Sequence, residues 1–322
     1  MGRSRVRVLQ AGCAVAAALI SMGIYGCGTA EPAGQHAGAA DRLAGAGGQG
    51  AAAPVHTTAP TPPPPPPPPK PHATNLSWRI LVAQGSNTVV DGAYTSDGEC
   101  ASGAVAWIDQ RYARFELHPG GEEPGGSGWS EPDYVPAAKR AGLAVTFNGG
   151  FRLGDSGGGF YLGGKQAGEL ENGAATEFFS STGALTVGRY GRDGVVTAST
   201  VGARQNLHLL VDGGSPTEDT NSLWSWGASW GGATCVRRSG VGEDAAGNTV
   251  YATGSELSPH GLAELLISAG AVRAMQLDIN PNWPSFMYYD SAGTPHMFGD
   301  SAQSADRYLT PTARDFVAVY TR

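Results

Sequence analysis

SPHGLAELLISAGAVRAMQLDINPNW, residues 258–283, is the stretch around which the rest of the chain is ordered. Ser258 is a favoured N-cap, and Pro259 suits the first helical position, where its missing N–H costs nothing. Leu262, Leu265, Leu266 and Ala269 recur at helical spacing and form one apolar stripe. Gly270 is a natural stop, since glycine readily takes the left-handed conformation that ends helices. Beyond it Met275, Leu277 and Ile279 alternate with Gln276 and Asp278, which is the period of a strand. Asp278 therefore falls on the polar face at the strand's carboxyl end, just before the turn Asn280-Pro281-Asn282-Trp283. A carboxylate so placed is a candidate for catalysis.

Upstream, residues 234–241 and 248–253 read as a hairpin turning near Ala246-Gly247. Residues 248–279 then predict a β-α-β unit with a right-handed crossover. Further strands are expected at 78–83, 88–90, 104–108, 113–118, 143–147, 207–211 and 316–320, with a short helix at 132–140. A second hairpin, 184–187 with 195–197, is expected around Arg192-Asp193-Gly194. The expected class is α+β: a mixed, largely antiparallel β-sheet with a few short helices and one β-α-β unit near the C-terminus.

The chain begins with Arg3, Arg5 and Arg7, an apolar run from Val8 to Ile24, and Cys27. Residues 1–27 read as a secretory signal. Ile24-Tyr25-Gly26-Cys27 approximates a lipobox that would lipidate Cys27, with free secretion or a membrane helix as the alternatives. Residues 28–74 carry almost no large apolar side chains, and eight consecutive prolines, Pro62 to Pro69, form a stiff spacer. Residues 75–322 are long enough for one core, and hold 16 basic and 26 acidic residues, a net of −10. That balance disfavours a nucleic-acid backbone as partner, and none is expected. Contact with a membrane is expected only through the lipid anchor. Cys100 and Cys235, the two cysteines of this part, are read as a disulfide, with two separate buried thiols as the alternative.

Three predicted strands end on polar turns: Asn148-Gly149-Gly150, Asp212-Gly213-Gly214 and Asp278. Ends gathered at one sheet edge would make a site, although Asn-Gly and Asp-Gly also serve simply as turns. Arg238 is an anion ligand if its side chain shares the face of the acids, and otherwise a surface ion pair. Lys165, in a glycine-rich loop, is a further candidate for an anion. Trp224, Trp226 and Trp230 could stack on sugar rings or pin their loop to the core. His118, His208, His260 and His296 show no metal spacing and are read as structural. No cofactor is required, although Asp212 and Asp278 leave room for a divalent cation.

The order Asn148-Gly149-Gly150-Phe151, a strand into Asp212-Gly213, Arg238-Ser239-Gly240-Val241-Gly242, and a helix ending in Gly270-Ala271 before Leu277-Asp278 resembles the phosphodiester glycosidase family. The resemblance runs from about Arg114 to the C-terminus. It implies hydrolysis of a sugar-1-phosphodiester, with Asn148, Asp212, Arg238 and Asp278 at the polar positions of the pocket. Asp278 or Asp212 would act as base or nucleophile, Arg238 would hold the phosphate, and Asn148 would bond the sugar. The family follows its last acid with glycines and a serine, whereas here Ile279-Asn280-Pro281-Asn282-Trp283 follows. Either the substrate differs or the ancestral activity is lost. Two functions follow: an exported hydrolase of a cell-envelope or extracellular glycoconjugate, or a non-catalytic carbohydrate- or wall-binding module.

Overall fold

The computed structural model describes residues 76–322, apart from 97, 99 and 228–231. The signal, Cys27, the linker and Trp230 lie outside the described residues. Among the described residues three sheets make up the fold, and every pairing between their strands is antiparallel. The largest has eight strands. From one edge it runs through Arg79–Gln84, Asn87–Thr95, Ala101–Ile108, Thr249–Leu257, Val236–Asp244, Ala271–Gln276, Leu209–Asp212 and Ser215–Pro216. A five-stranded sheet orders Lys165–Ala167, Phe160–Leu162, Thr200–Gln205, Ala175–Ser180 and Leu185–Arg189. The third orders Pro295–Phe298, Phe286–Tyr289, Leu143–Asn148, Phe316–Thr321 and Ala113–His118.

The helix forms where its sequence places it, at Pro259–Ser268. The Ser258 side chain accepts from the Gly261 N–H at 2.8 Å, and Gly270 takes a φ of 101°. Leu262, Leu265 and Leu266 are buried against the eight-stranded sheet with Val105, Val211 and Ala252. The α+β expectation is nevertheless overturned, because the molecule is β-rich and built from antiparallel sheets. Thr249–Leu257 and Ala271–Gln276, the two strands flanking the helix, never pair. Val236–Asp244 lies between them and pairs antiparallel with both. The reason is the tight hairpin at Asp244–Asn248, which lays that strand beside Thr249–Leu257 and occupies the edge a parallel partner would need.

Other expectations shift as well. The helix expected at 132–140 is a single turn, Ala137–Lys139. Leu185–Arg189 pairs with Ala175–Ser180 rather than with residues 195–197. One apolar core is shared by all three sheets, through Val89, Ala106 and Val241, Phe160 and Phe179, and Phe115, Phe147 and Val317. The Cys100–Cys235 disulfide is formed. It joins the starts of two strands that both flank Thr249–Leu257.

Candidate functional site

Where the eight-stranded sheet meets the third sheet, the chain leaves Ala271–Gln276 and continues as Leu277 and Asp278 along the start of Val236–Asp244. Leu277 N–H donates to Ser239 O at 2.8 Å, and Ser239 N–H donates to Asp278 O at 3.0 Å. The backbone of Asp278 is thus fixed as an extension of the sheet. Its side chain is 5% exposed and lies in the wall of a cleft of about 1010 Å³. Oδ1 accepts from Asn280 N–H at 2.8 Å, closing the turn that the Asn-Pro signal marks, and Oδ2 faces Arg314 Nη2 at 3.3 Å. Burial pushes the Asp278 carboxyl up to about 6, against the opposing pull of the Arg314 guanidinium and the two backbone donors of the turn. It is the group in the cleft poised to give or take a proton near neutral pH.

Arg314 was invisible as a site residue in the sequence. It lies two residues before Phe316–Thr321, is 6% exposed, donates to Gly150 O at 2.8 Å, and lies 5.2 Å from the Trp283 ring centroid. An arginine next to an aspartate just before a buried apolar strand is the available signal, since buried charges are usually paired. Its neighbour Asp315 turns the other way and pairs with buried Arg204 at 2.8 Å. The cleft also carries Arg152, Arg237 and Asp155. Arg152, Arg237 and Arg314 thus line the cleft together with Asp155 and Asp278, and Arg237 is held there by Asp300, whose carboxylate it meets at 2.9 Å.

Asn148 and Asp278 meet through Ser239: Asn148 Nδ2 donates to Ser239 Oγ at 2.9 Å, and Asp278 N–H donates to the same oxygen at 3.3 Å. Asn148 is not placed to bond a sugar. Its amide also donates to Gly149 O, and its Oδ1 accepts from the Tyr251 hydroxyl and Ser285 N–H, so both donors and both acceptor sites are used. It is a buried tie that positions Ser239. The glycines after it answer to packing: a Cβ on Gly150 would stand 2.9 Å from Asn206 Oδ1, and one on Gly149 would collide with the Asp315 carboxylate. Asn206, which no sequence pattern marks, fastens Phe151 N–H to Leu277 O through its amide.

The remaining sequence candidates stand elsewhere. Asp212 pairs with Arg273, five residues before Asp278 along the neighbouring strand, which at about 3.3 Å per residue puts it at the far end of the sheet. There it accepts two hydrogen bonds from Arg192, at 2.6 and 2.9 Å, and that cation holds it below the usual carboxylate range. A shared cation on Asp212 and Asp278 is therefore ruled out by position. Arg238 points to the opposite face from Ser239, towards the helix layer, where it donates to Leu257 O at 2.8 Å and Gln276 Oε1 at 2.7 Å. Burial without an acidic partner pulls it down to about 10, so it stays charged at neutral pH. Trp226 is fully buried and donates to Asp219 O at 2.7 Å, pinning its loop rather than offering a face. Lys165 sits 4.2 Å above the exposed side of the Trp129 ring and bonds Ser127 O, away from the cleft.

Among the described residues, the acid and imidazole groups close enough to hold a metal ion are Glu116, His118 and Glu131, whose ligating atoms lie within 4.8 Å of one another. Glu116-x-His118 is the sequence signal for it, because residues two apart on a strand share a face.

No family model matches the chain. No curated protein matches it either. Among solved structures, the zebrafish N-acetylglucosamine-1-phosphodiester alpha-N-acetylglucosaminidase catalytic domain, auto-inhibited by its pro-peptide, is similar at 16% identity and a TM-score of 0.48, covering 77% of this chain and 88% of that one. A hypothetical protein from Synechocystis is similar at 14% identity and a TM-score of 0.40, covering 77% of this chain and 62% of that one. Identity at this level assigns no activity to the present chain.

Proposed function

We propose that the protein is an exported hydrolase of the phosphodiester glycosidase type, cleaving a sugar-1-phosphodiester bond in a cell-envelope or extracellular glycoconjugate. The observation that carries this reading is the buried Asp278 carboxyl, raised to about 6 and held 3.3 Å from Arg314 in a cleft with two more arginines. Water attacks the anomeric carbon, the bond from that carbon to the phosphate oxygen breaks, and the phosphate monoester leaves with the electron pair. Asp278, ionised, takes the proton of the water. A phosphate needs little protonation to leave, so a single carboxylate with cations for the departing charge is enough. Arg152 and Arg237, at the cleft, receive that charge, while Arg314 orients Asp278. Of the sequence motifs, the strand end at Leu277-Asp278 supports the same reading, and the arginine-bearing apolar run at residues 3–24 with the later proline run supports export on a stalk.

The test is turnover of a panel of sugar-1-phosphodiesters in ¹⁸O water. Label in the released sugar, lost in Asp278→Asn, is the expected result. Label in the phosphate would refute a glycosidase, and binding without turnover would leave the carbohydrate-binding module instead.

A further inference from the structure

Outside the cleft, the edge strand Ala113–His118 and the loop after it build a second constellation. Glu116 and His118 are two apart on that strand and so project from the same face. Glu131 reaches them from the loop, and Glu116 Oε2 stands 3.8 Å from His118 Nε2. The imidazole is fully buried and stacked on the Phe316 ring at 4.5 Å. Its Nδ1 lies 2.9 Å from Pro132 O; a carbonyl can only accept, so Nδ1 carries the hydrogen and the lone pair is left at Nε2. Among the described residues that nitrogen is buried with no hydrogen-bond partner, and it is aimed at the gap between the two carboxylates.

Lys139 occupies the gap, with Nζ 3.1 Å from Glu116 Oε2 and 2.6 Å from Glu131 Oε2. Its ammonium neutralises one of the two negative charges and leaves the histidine nitrogen unanswered. Arg114 binds the other oxygen of Glu116. Outer partners that fix an imidazole by Nδ1 and a carboxylate by one oxygen, with the second ligand atom of each turned inward, are the usual surroundings of a metal ligand. The lysine side chain is 38% exposed, on a one-turn helix, so it can swing into solvent on its flexible stem.

We propose that Glu116, His118 and Glu131 form a Zn²⁺ site that fills by displacing Lys139. One imidazole and two carboxylates suit zinc, and leave a fourth position for water. Mg²⁺ and Ca²⁺ favour oxygen ligands alone. Two glutamates balance the charge of the ion once the lysine has left. The ion ties the strand to a loop whose Gly121 and Glu122 N–H groups donate to Thr312 O and Ala313 O, immediately before Arg314. It braces, at one remove, the segment that presents the cleft arginine.

The experiment is equilibrium dialysis of the whole protein against ZnCl₂, with Co²⁺ substitution as a spectroscopic readout. Wild type takes up one equivalent and gives the visible bands of a low-coordinate Co²⁺ centre. Lys139→Met binds at least tenfold more tightly, and Glu131→Gln at least tenfold more weakly. Both positions are partly exposed, so the variants are expected to fold, and circular dichroism checks that they do. His118→Gln, at a buried site, is the secondary variant. Failure of Lys139→Met to bind zinc would overturn the proposal and leave Lys139 as the permanent counter-ion of the cluster. Uptake indifferent to both substitutions would also overturn it, since that places the ion at the exposed pairs His296–Asp290 or His260–Glu264.

Discussion

Replacing Asp278 with asparagine removes a charge that the fold holds at a cost. An unfolded aspartate ionises near its ordinary value of 3.8, whereas the folded one keeps its proton until about 6. Between those values the folded state binds more protons, so stability falls as pH rises through the window. Below the window the penalty is absent, and above it the penalty is complete. At 1.36 kcal/mol per unit, the full cost is about 3 kcal/mol, and the attraction of Arg314 is already contained in it. Asparagine has the same shape and cannot ionise. The stability of Asp278→Asn relative to wild type should therefore grow by about 2 kcal/mol between about pH 4 and about pH 8, equivalent to about 4–8 °C in melting temperature for a domain of this size. Urea unfolding followed by tryptophan fluorescence at both pH values measures it. Parallel pH dependence in the two proteins, or a variant that loses stability at the higher pH, would refute the placement of a strained carboxylate in the cleft. The same variant should have no hydrolytic activity, which separates a strained catalytic group from a stabilising ion pair.

Arg314→Ala should lower turnover by about a hundredfold and move the acid limb of the pH–rate profile to higher pH, because Asp278 loses the cation that favours its ionised form; steady-state rates across pH check both. Asp212→Asn should leave kcat/KM within about twofold and cost no more than about 1 kcal/mol, as the loss of a partly exposed ion pair does; a large loss of turnover would return Asp212 to the site. Removing the disulfide with Cys100→Ala and Cys235→Ala together should cost about 2–5 kcal/mol, since it closes a span of 135 residues; thermal unfolding with and without the pair reads it.

Much of the fold was legible locally. The cap at Ser258, the stripe of Leu262, Leu265 and Leu266, and the stop at Gly270 are all properties of adjacent residues, and the helix stands where they put it. Strands missed in the sequence, Ala175–Ser180 and Phe286–Tyr289 among them, lack clean alternation because both of their faces are largely covered. The β-α-β reading failed for a different reason: periodicity identifies elements but carries no information about which strand lies beside which. At the site the same division holds. The turn and strand end at Asp278 are local and legible, whereas which arginine stands beside it, Arg314 rather than Arg238, depends on strand order.

By itself the sequence determined the acidic balance of residues 75–322, the terminated helix and the position of Asp278 at a strand's end. Only the tertiary structure decided that Asp212 belongs to the opposite end of the sheet, that Asn148 is already fully bonded, and that Arg314 completes the cleft. Short-range patterns are set by backbone geometry over a few residues. A site assembled from residues 150, 278 and 314 depends on strand order and register, which follow from the packing of three sheets around one core.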